Sequence, residues 1–152
     1  MFNLSSLDAA LHLRDLYRSL FHLASVYADD KEKPVGAAVM DWASKVYLGF
    51  NVYPAGEAPA PDKSNIIHAE DGAIAAYEES KTESGVAVIV TTKAPCLSCA
   101  KRILSVSPML VIMPAPEEHS SWFSEQKQSV VLFKTHHIRV AYASKELTDA
   151  CK

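Results

Sequence analysis

The sequence contains no apolar run approaching the roughly 18 residues that a transmembrane helix requires. Arg14, Asp15 and Arg18 interrupt the apolar residues near the N-terminus, and no basic segment precedes them. This pattern is not typical of a signal peptide. We therefore expect a cytoplasmic protein that has no membrane partner.

An excess of positive charge is also missing. The 15 lysines and arginines are outnumbered by 18 aspartates and glutamates, which gives a formal net charge of -3. Proteins that bind along DNA or structured RNA usually carry a basic face. The charge balance, and a C-terminal segment 144–152 that carries as many acidic as basic residues, disfavour a nucleic-acid partner and favour a small-molecule ligand.

Cysteine is scarce, since the chain has only three. That number is odd and too small to predict a disulfide framework. Cys96 and Cys99 are three residues apart, whereas Cys151 is next to the last residue and is expected to have no role in a site. The close pair predicts either a metal site or a redox site.

The 152 residues contain 49% hydrophobic residues and no internal repeat, so we expect a single domain over 1–152. Apolar periodicity and the positions of glycine and proline indicate strands that alternate with helices after an initial helix and hairpin. The alternation predicts an α/β fold, a three-layer α/β/α sandwich around a mixed five-stranded sheet whose later strands are parallel. The predicted elements are a helix over 5–28, strands over 35–40 and 46–50, a long loop over 51–65, a helix over 66–80, a strand over 86–92, a helix over 96–106, a strand over 109–113, a helix over 117–134, a strand over 138–142 and a short helix from 144.

Two short motifs lie where the second and third helices are predicted to begin. The first is H-A-E at residues 68–70, and the second is P-C-L-S-C at residues 95–99. Cys96 and Cys99 would face the same way in one helical turn, and the helix N-terminus favours the thiolate form that binds zinc. With His68 they provide three ligands and leave a fourth tetrahedral position for water, which is the catalytic pattern. Glu70 is then predicted to act as the acid–base group.

Other interpretations of these motifs are possible. A C-x-x-C pair at a helix start also occurs in thioredoxin-like redox proteins, but that hypothesis gives His68 and Glu70 no role. A structural zinc site would need a fourth ligand. The histidines His119, His136 and His137 have no paired spacing that would favour this. A non-enzymatic zinc scaffold is a further alternative.

At these motifs the chain resembles the zinc-dependent cytidine and deoxycytidylate deaminase superfamily, over about residues 20–142. The likeness extends to P-V-G-A at 34–37 and to G-F-N-V-Y-P-A-G at 49–56, and it is greatest for the deoxycytidylate (dCMP) deaminases. The resemblance implies a Zn²⁺ cofactor and a sheet of the cytidine deaminase type. It also implies that Asn51 contacts the sugar or base, that the Ala69 N–H meets the pyrimidine edge, and that the Ala94 carbonyl meets the leaving amine.

The sequence therefore leads to the hypothesis that the protein hydrolyses a free cytosine nucleotide, dCMP to dUMP, and releases ammonia. Lys33 and Lys63 flank the motifs and are the expected phosphate contacts. A tRNA or DNA base deaminase and a nucleoside or guanine deaminase are the alternatives, because they share the zinc signature. Family members are commonly multimeric, so a homo-oligomer is expected.

Overall fold

In a computed structural model, residues 7–145 are described, with side chains from residue 12 onward. The order of helices and strands is the predicted one, and the strands form a single sheet in the order β2-β1-β3-β4-β5. The elements are α1 (Leu7–Tyr27), β1 (Gly36–Asp41), β2 (Val46–Phe50), α2 (Ala69–Glu79), β3 (Val86–Thr91), α3 (Leu97–Leu104), β4 (Leu110–Pro114), α4 (Phe123–Thr135) and β5 (Arg139–Ala143).

The sheet is mixed, as predicted. β1 pairs antiparallel with both β2 and β3, whereas β3, β4 and β5 are parallel to one another. Parallel neighbours require a crossover connection, and here α3 and α4 provide those connections. Because parallel strands place their carboxyl ends at one edge of the sheet, the segments that follow β3 and β4 meet there.

Alternate side chains of the central strands divide the core into two layers. Ala38, Met40 and Val88 pack with Tyr17 and Leu20 of α1 on one face of the sheet. The opposite face packs against the other three helices through residues such as Ala37, Val39 and Ile89 on the strands and Ala73, Ile103 and Phe133 on the helices. The alternation is the two-residue period of a strand whose two faces are both covered. The predicted α/β/α sandwich is therefore confirmed.

Several predicted boundaries are wrong, and local structure explains them. The prediction began α2 at residue 66, but Ile67 forms an isolated antiparallel bridge with Val52 and His68 is still extended. Cys96 is likewise an extended residue just before α3. The prediction began α4 at residue 117, but the helix starts at Phe123, because a backbone hydrogen bond from Ser120 to Glu117 closes a turn there. The strands β1, β4 and β5 each begin and end one residue later than predicted.

The predicted short helix from residue 144 lies almost wholly outside the described residues. Within residues 7–145, no helix is long and apolar enough to cross a membrane.

The close approach of α2 to β2 brings the H-A-E motif next to the sheet. A Cβ atom at Gly49 would lie 2.2 Å from the Ala69 carbonyl oxygen and 2.3 Å from the Ala73 nitrogen. No other residue type fits there without moving the backbone of α2. The small residues predicted along one side of this helix, including Gly72, serve the same close packing.

Gly49→Ala should therefore displace α2 and reduce the free energy of unfolding by about 3 kcal/mol, the upper part of the range for overpacked sites. Gly72→Ala is the matched control, because its Cβ would lie 3.6 Å from the nearest atom, an ordinary contact. Alanine is also the better helix former, so this variant should be neutral or more stable by up to about 1 kcal/mol. Urea denaturation at fixed protein concentration measures both. Equal stability of the two variants would contradict the close-packing argument.

Candidate metal and catalytic centre

The loop between β2 and α2 is closed at its base and delivers His68 to the start of α2. The backbone N–H of Val52 donates to Ile67 at 3.1 Å, and the N–H of Ile67 donates back at 2.7 Å. This pair of hydrogen bonds joins the two ends of the loop and leaves His68 as the residue immediately before the helix. The imidazole is therefore held where β2 ends.

Three potential ligand atoms converge from the starts of α2 and α3. The His68 Nδ1 atom lies 3.1 Å from Cys99 Sγ and 3.6 Å from Cys96 Sγ. All three atoms lie within 4.8 Å of one another. Nitrogen and sulfur ligands of a tetrahedral zinc ion are separated by roughly 3.6 Å, given zinc–ligand bonds of about 2.0 and 2.3 Å. The donor types and their spacing therefore fit zinc.

The part of the chain that the structure describes offers no fourth protein ligand to this cluster. Among the described residues, His68, Cys96 and Cys99 form the only group of three or more histidine, cysteine or acidic side chains with this proximity. The other described histidines do not belong to it. A structural zinc site is closed by four protein ligands, whereas three ligands leave an open position. The arrangement thus has the form of a catalytic site.

The two thiols differ in their readiness to ionise. Hydrogen bonding with Cys99 and then with His68 lowers the pKa of the Cys96 thiol to about 4. Contact with Cys96, burial and the nearby Glu70 carboxylate raise the pKa of Cys99. Both sulfurs lie at the N-terminal end of α3, where unpaired N–H groups favour negative charge. Zinc binding requires both sulfurs as thiolates, so the proton on Cys99 must leave as the ion enters.

Glu70 lies in the first turn of α2, beside the cluster but outside it. Its side chain is buried, with 4% of the residue exposed, and Thr91 Oγ1 lies 2.9 Å from its Oε1 atom. Thr91 is the last residue of β3, so the carboxylate is held by the carboxyl end of that strand. This contact leaves Oε2 free of Thr91, and the carboxylate has room to exchange a proton with a bound molecule.

A cavity of about 480 Å³ opens above these residues. That volume lies within the range of small-molecule sites, roughly 300–1,000 Å³. Its lining includes His68, Glu70 and Cys96, while Cys99 lies buried behind them. The five other residues that the sequence singled out also line it, namely Lys33, Asn51, Lys63, Ala69 and Ala94.

Asn51 has internal partners in addition to its place in the cavity wall. Its Oδ1 atom accepts a hydrogen bond from the Val35 N–H at 2.8 Å, and its Nδ2 atom donates to the Lys33 carbonyl at 3.0 Å. These bonds hold the segment that leads into β1. One N–H of the amide is left over for a ligand, since the side chain has two.

The two lysines expected at the phosphate differ in their surroundings. Lys63 Nζ forms ion pairs with Asp30 at 3.2 Å and with Glu32 at 3.5 Å. Lys33 forms no ion pair within residues 12–145, and the same holds for Lys93, a further cation in the cavity wall. The positive charge that is open to an anionic ligand therefore lies on Lys33 and Lys93.

Sequence reasoning missed Lys93, and it also missed the residues that α4 contributes. Trp122 and Gln126 line the cavity from the start of this helix. They are four residues apart, so they lie on the same face of one turn. That spacing indicates that the two residues share a helix face. No local pattern in the sequence shows that this face is turned toward the H-A-E and P-C-x-x-C motifs.

Residues 13–114 match the family model described as the cytidine and deoxycytidylate deaminase zinc-binding region. This match covers about two thirds of the chain and contains both motifs. No curated protein matches the chain by sequence.

Several solved structures share the fold. A dCMP deaminase from the cyanophage S-TIM5, solved in complex with dCMP and dUMP, superposes with a TM-score of 0.69 at 19% identity, over 87% of this chain and 97% of that one. A bifunctional diaminohydroxyphosphoribosylaminopyrimidine deaminase and reductase from Thermotoga maritima gives 0.62 at 20% identity, over 92% of this chain and 40% of that one. The cytidine deaminase of Mycobacterium tuberculosis gives 0.51 at 17% identity, over 67% of this chain and 84% of that one. At these identities the likeness concerns the fold.

Proposed function

Because the chain belongs to the cytidine and deoxycytidylate deaminase zinc-binding family, we propose that this zinc-dependent deaminase acts on a free cytosine nucleotide, converting dCMP to dUMP and ammonia. The observation that carries the proposal is the placement of a buried carboxylate, Glu70, next to an open three-ligand cluster inside one cavity. We also retain the expectation of a cytoplasmic homo-oligomer that has no nucleic-acid partner.

In this proposal His68, Cys96 and Cys99 hold the zinc ion, which supplies a Lewis acid for the activation of water. His68 ligates through Nδ1, the ring atom that lies nearest both sulfurs. The two thiolates offset the charge of the ion, and the N-termini of α2 and α3 favour their negative charge in turn.

Glu70 moves the protons in the proposed reaction. It takes a proton from the attacking water, delivers one to ring nitrogen N3, and later protonates the departing amine. The water oxygen first bonds to C4, and one of its two protons goes to N3 through Glu70. Glu70 then carries the second proton, from the hydroxyl now on C4, to the amino nitrogen. The C4–N bond breaks, the ring keeps a carbonyl oxygen at C4, and ammonia leaves. Thr91 holds one carboxylate oxygen in place, which keeps the other aligned with the ring. Positioned acid–base groups of this kind contribute about 10²–10⁴-fold to the rate.

Backbone groups would orient the base. Ala69 is the first residue of α2, where the N–H groups have no partner within the helix, and it lies in the cavity wall. Its N–H can donate to the pyrimidine edge. The Ala94 carbonyl lies two residues before Cys96 and can accept from the amine that leaves. The second N–H of Asn51 can reach the sugar or base.

The 5′-phosphate would be recognised by charge. Lys33 and Lys93 lie in the cavity wall without an ion pair in the described part of the chain, so either can meet a dianion as a point charge. Lys63 is paired with Asp30, and we therefore expect it to contribute less to phosphate binding than Lys33. The solved complex of the cyanophage dCMP deaminase with dCMP and dUMP supports this choice of substrate class.

The purified protein should contain about one tightly bound zinc per chain. The double variant Cys96→Ala, Cys99→Ala should lose it and become less stable, because both helix starts meet at the ion. Cys151→Ala is the control and should keep its zinc, since this cysteine belongs to neither the H-A-E nor the P-C-L-S-C motif. Elemental analysis after dialysis against a chelator measures the metal. Full zinc occupancy in the double variant would refute the ligand assignment.

Glu70→Ala should keep zinc and the fold but lose activity by about 10²–10⁴-fold or more, the effect of removing a positioned acid–base group. The control is Glu79→Ala, which removes an exposed carboxylate from the far end of the same helix. Its ammonia release should match that of the unmodified protein. If Glu70→Ala instead loses zinc while it stays folded, Glu70 is a ligand and the proposed proton transfers are wrong.

dCMP should be deaminated with a much higher kcat/KM than deoxycytidine, because binding energy from the remote phosphate helps to align the base. The advantage should shrink as salt is added, since part of the attraction is screened. Lys33→Ala should reduce kcat/KM for dCMP and leave deoxycytidine unaffected.

The matched control for this prediction is Lys101→Ala, an exposed lysine of α3 outside the cavity wall. It should change neither substrate's kcat/KM. Ammonia release is measured across nucleotides, nucleosides and free bases at low and high salt. Comparable kcat/KM for dCMP and deoxycytidine at low salt would favour a nucleoside or base deaminase instead.

A further inference from the structure

Gln126 is a buried amide in the wall of the proposed active site, and its acceptor oxygen has no partner among the described residues. Only 2% of the residue is exposed. Its Nε2 atom donates to the Ala94 carbonyl at 3.4 Å, whereas its buried Oε1 atom has no hydrogen-bond partner among the described residues. A buried acceptor without a partner costs the desolvation free energy of that atom, so an unpaired one calls for an explanation.

The Ala94 carbonyl fixes which end of this amide is the acceptor. A carbonyl oxygen accepts hydrogen bonds and cannot donate them, so only the NH₂ end of Gln126 can face Ala94. A flipped amide would bring two oxygens together. The Oε1 atom is therefore the end of the amide that does not face Ala94, and it remains an acceptor without a partner among the described residues.

The helix that carries Gln126 is anchored next to the metal cluster. The neighbouring residue, Glu125, accepts a hydrogen bond from the backbone N–H of Leu97 at 2.9 Å. Leu97 is the first residue of α3 and directly follows Cys96. The start of α4 is thus fixed to the start of α3. This contact fixes the backbone at Gln126 close to the segment that carries Ala94 and Cys96.

The proposed chemistry determines which substrate atom comes nearest to this pair. The reacting carbon must lie at the cluster, and the amino group that leaves is one bond away from it. Ala94 and Gln126 line the same cavity as Cys96, and the Ala94 carbonyl and the Gln126 amide are in contact there, so this pair is the polar part of the wall that we assign to that position. An amino group has two N–H donors, and this part of the wall offers two acceptors.

We propose that Gln126 is a specificity residue that recognises the amino group to be released: its Oε1 atom accepts one amine N–H while the Ala94 carbonyl accepts the other. This inference rests on the proposed function. The product carries an oxygen at C4, which is an acceptor, and an acceptor facing Oε1 is repelled. The same residue therefore favours binding of the amino substrate and release of the carbonyl product.

The inference is tested by equilibrium binding in the zinc-loaded Glu70→Gln variant, where turnover is slow enough to titrate dCMP as well as dUMP by calorimetry. We expect this protein to bind dCMP at least 10-fold more tightly than dUMP. Adding Gln126→Met should reduce that ratio by about 10-fold, mainly through weaker dCMP binding. Adding Gln128→Met, an exposed residue of the same helix, should leave it unchanged. An equal loss of affinity for both nucleotides, or an unchanged ratio, would show that Gln126 only supports the fold.

A second measurement leaves Gln126 in place and serves if the Met variant fails to fold. With dCMP labelled with ¹⁵N at the amino group and bound to Glu70→Gln, both amine protons should be shifted downfield and protected from exchange with water. An amine proton that exchanges as in free dCMP would overturn the inference. Ammonia release from dCMP by the unmodified protein separates the two hypotheses. If that activity is present and the ratio or the protection is not, the Gln126 inference fails alone; if no cytosine nucleotide is deaminated, the proposed function fails.

Discussion

The convergence of three ligand atoms from two helix starts is the constraint on which the rest of the site depends. His68 and Cys96 are both extended residues that immediately precede a helix, and Cys99 lies one turn further on. His68 is placed by α2, which lies almost against β2, and Gly49 permits that approach because it has no Cβ. The first N–H groups of both helices have no carbonyl partner within the helix, so each helix start favours negative charge near it.

The chemistry and the selectivity of the site come from different parts of the fold. The proposed acid–base group and the proposed ligands come from the starts of α2 and α3, and Thr91 at the end of β3 lies within hydrogen-bond distance of Glu70. The start of α4 closes the other side with Trp122 and Gln126. Because Glu125 joins α4 to the first turn of α3, this side of the cavity is tied to the helix start that carries the two cysteines.

The sequence predicts local elements well, and it predicts tertiary contacts only where a motif marks them. The order of elements and the mixed sheet follow from apolar periodicity and from the positions of glycine and proline. His68 and Cys99 are 31 positions apart, and their proximity was predicted from the ligand chemistry of the two motifs. The ion pair of Lys63 with Asp30, 33 positions apart, belongs to no motif and was not predicted. Lys93 and Gln126 were missed for the same reason, because only tertiary packing brings these residues to the cavity. The late start of α4 reflects turns around Ser120 that outweigh the helical pattern.

Zinc in this protein should be held by two sulfurs and one nitrogen, with one coordination position left open. X-ray absorption at the zinc edge of the purified protein measures this arrangement. We expect two sulfur neighbours at about 2.3 Å, one imidazole nitrogen at about 2.0–2.1 Å and one further light atom from outside the chain. The spectrum should be the same in Glu70→Gln. Four protein ligands, or a sulfur count other than two, would contradict the claim.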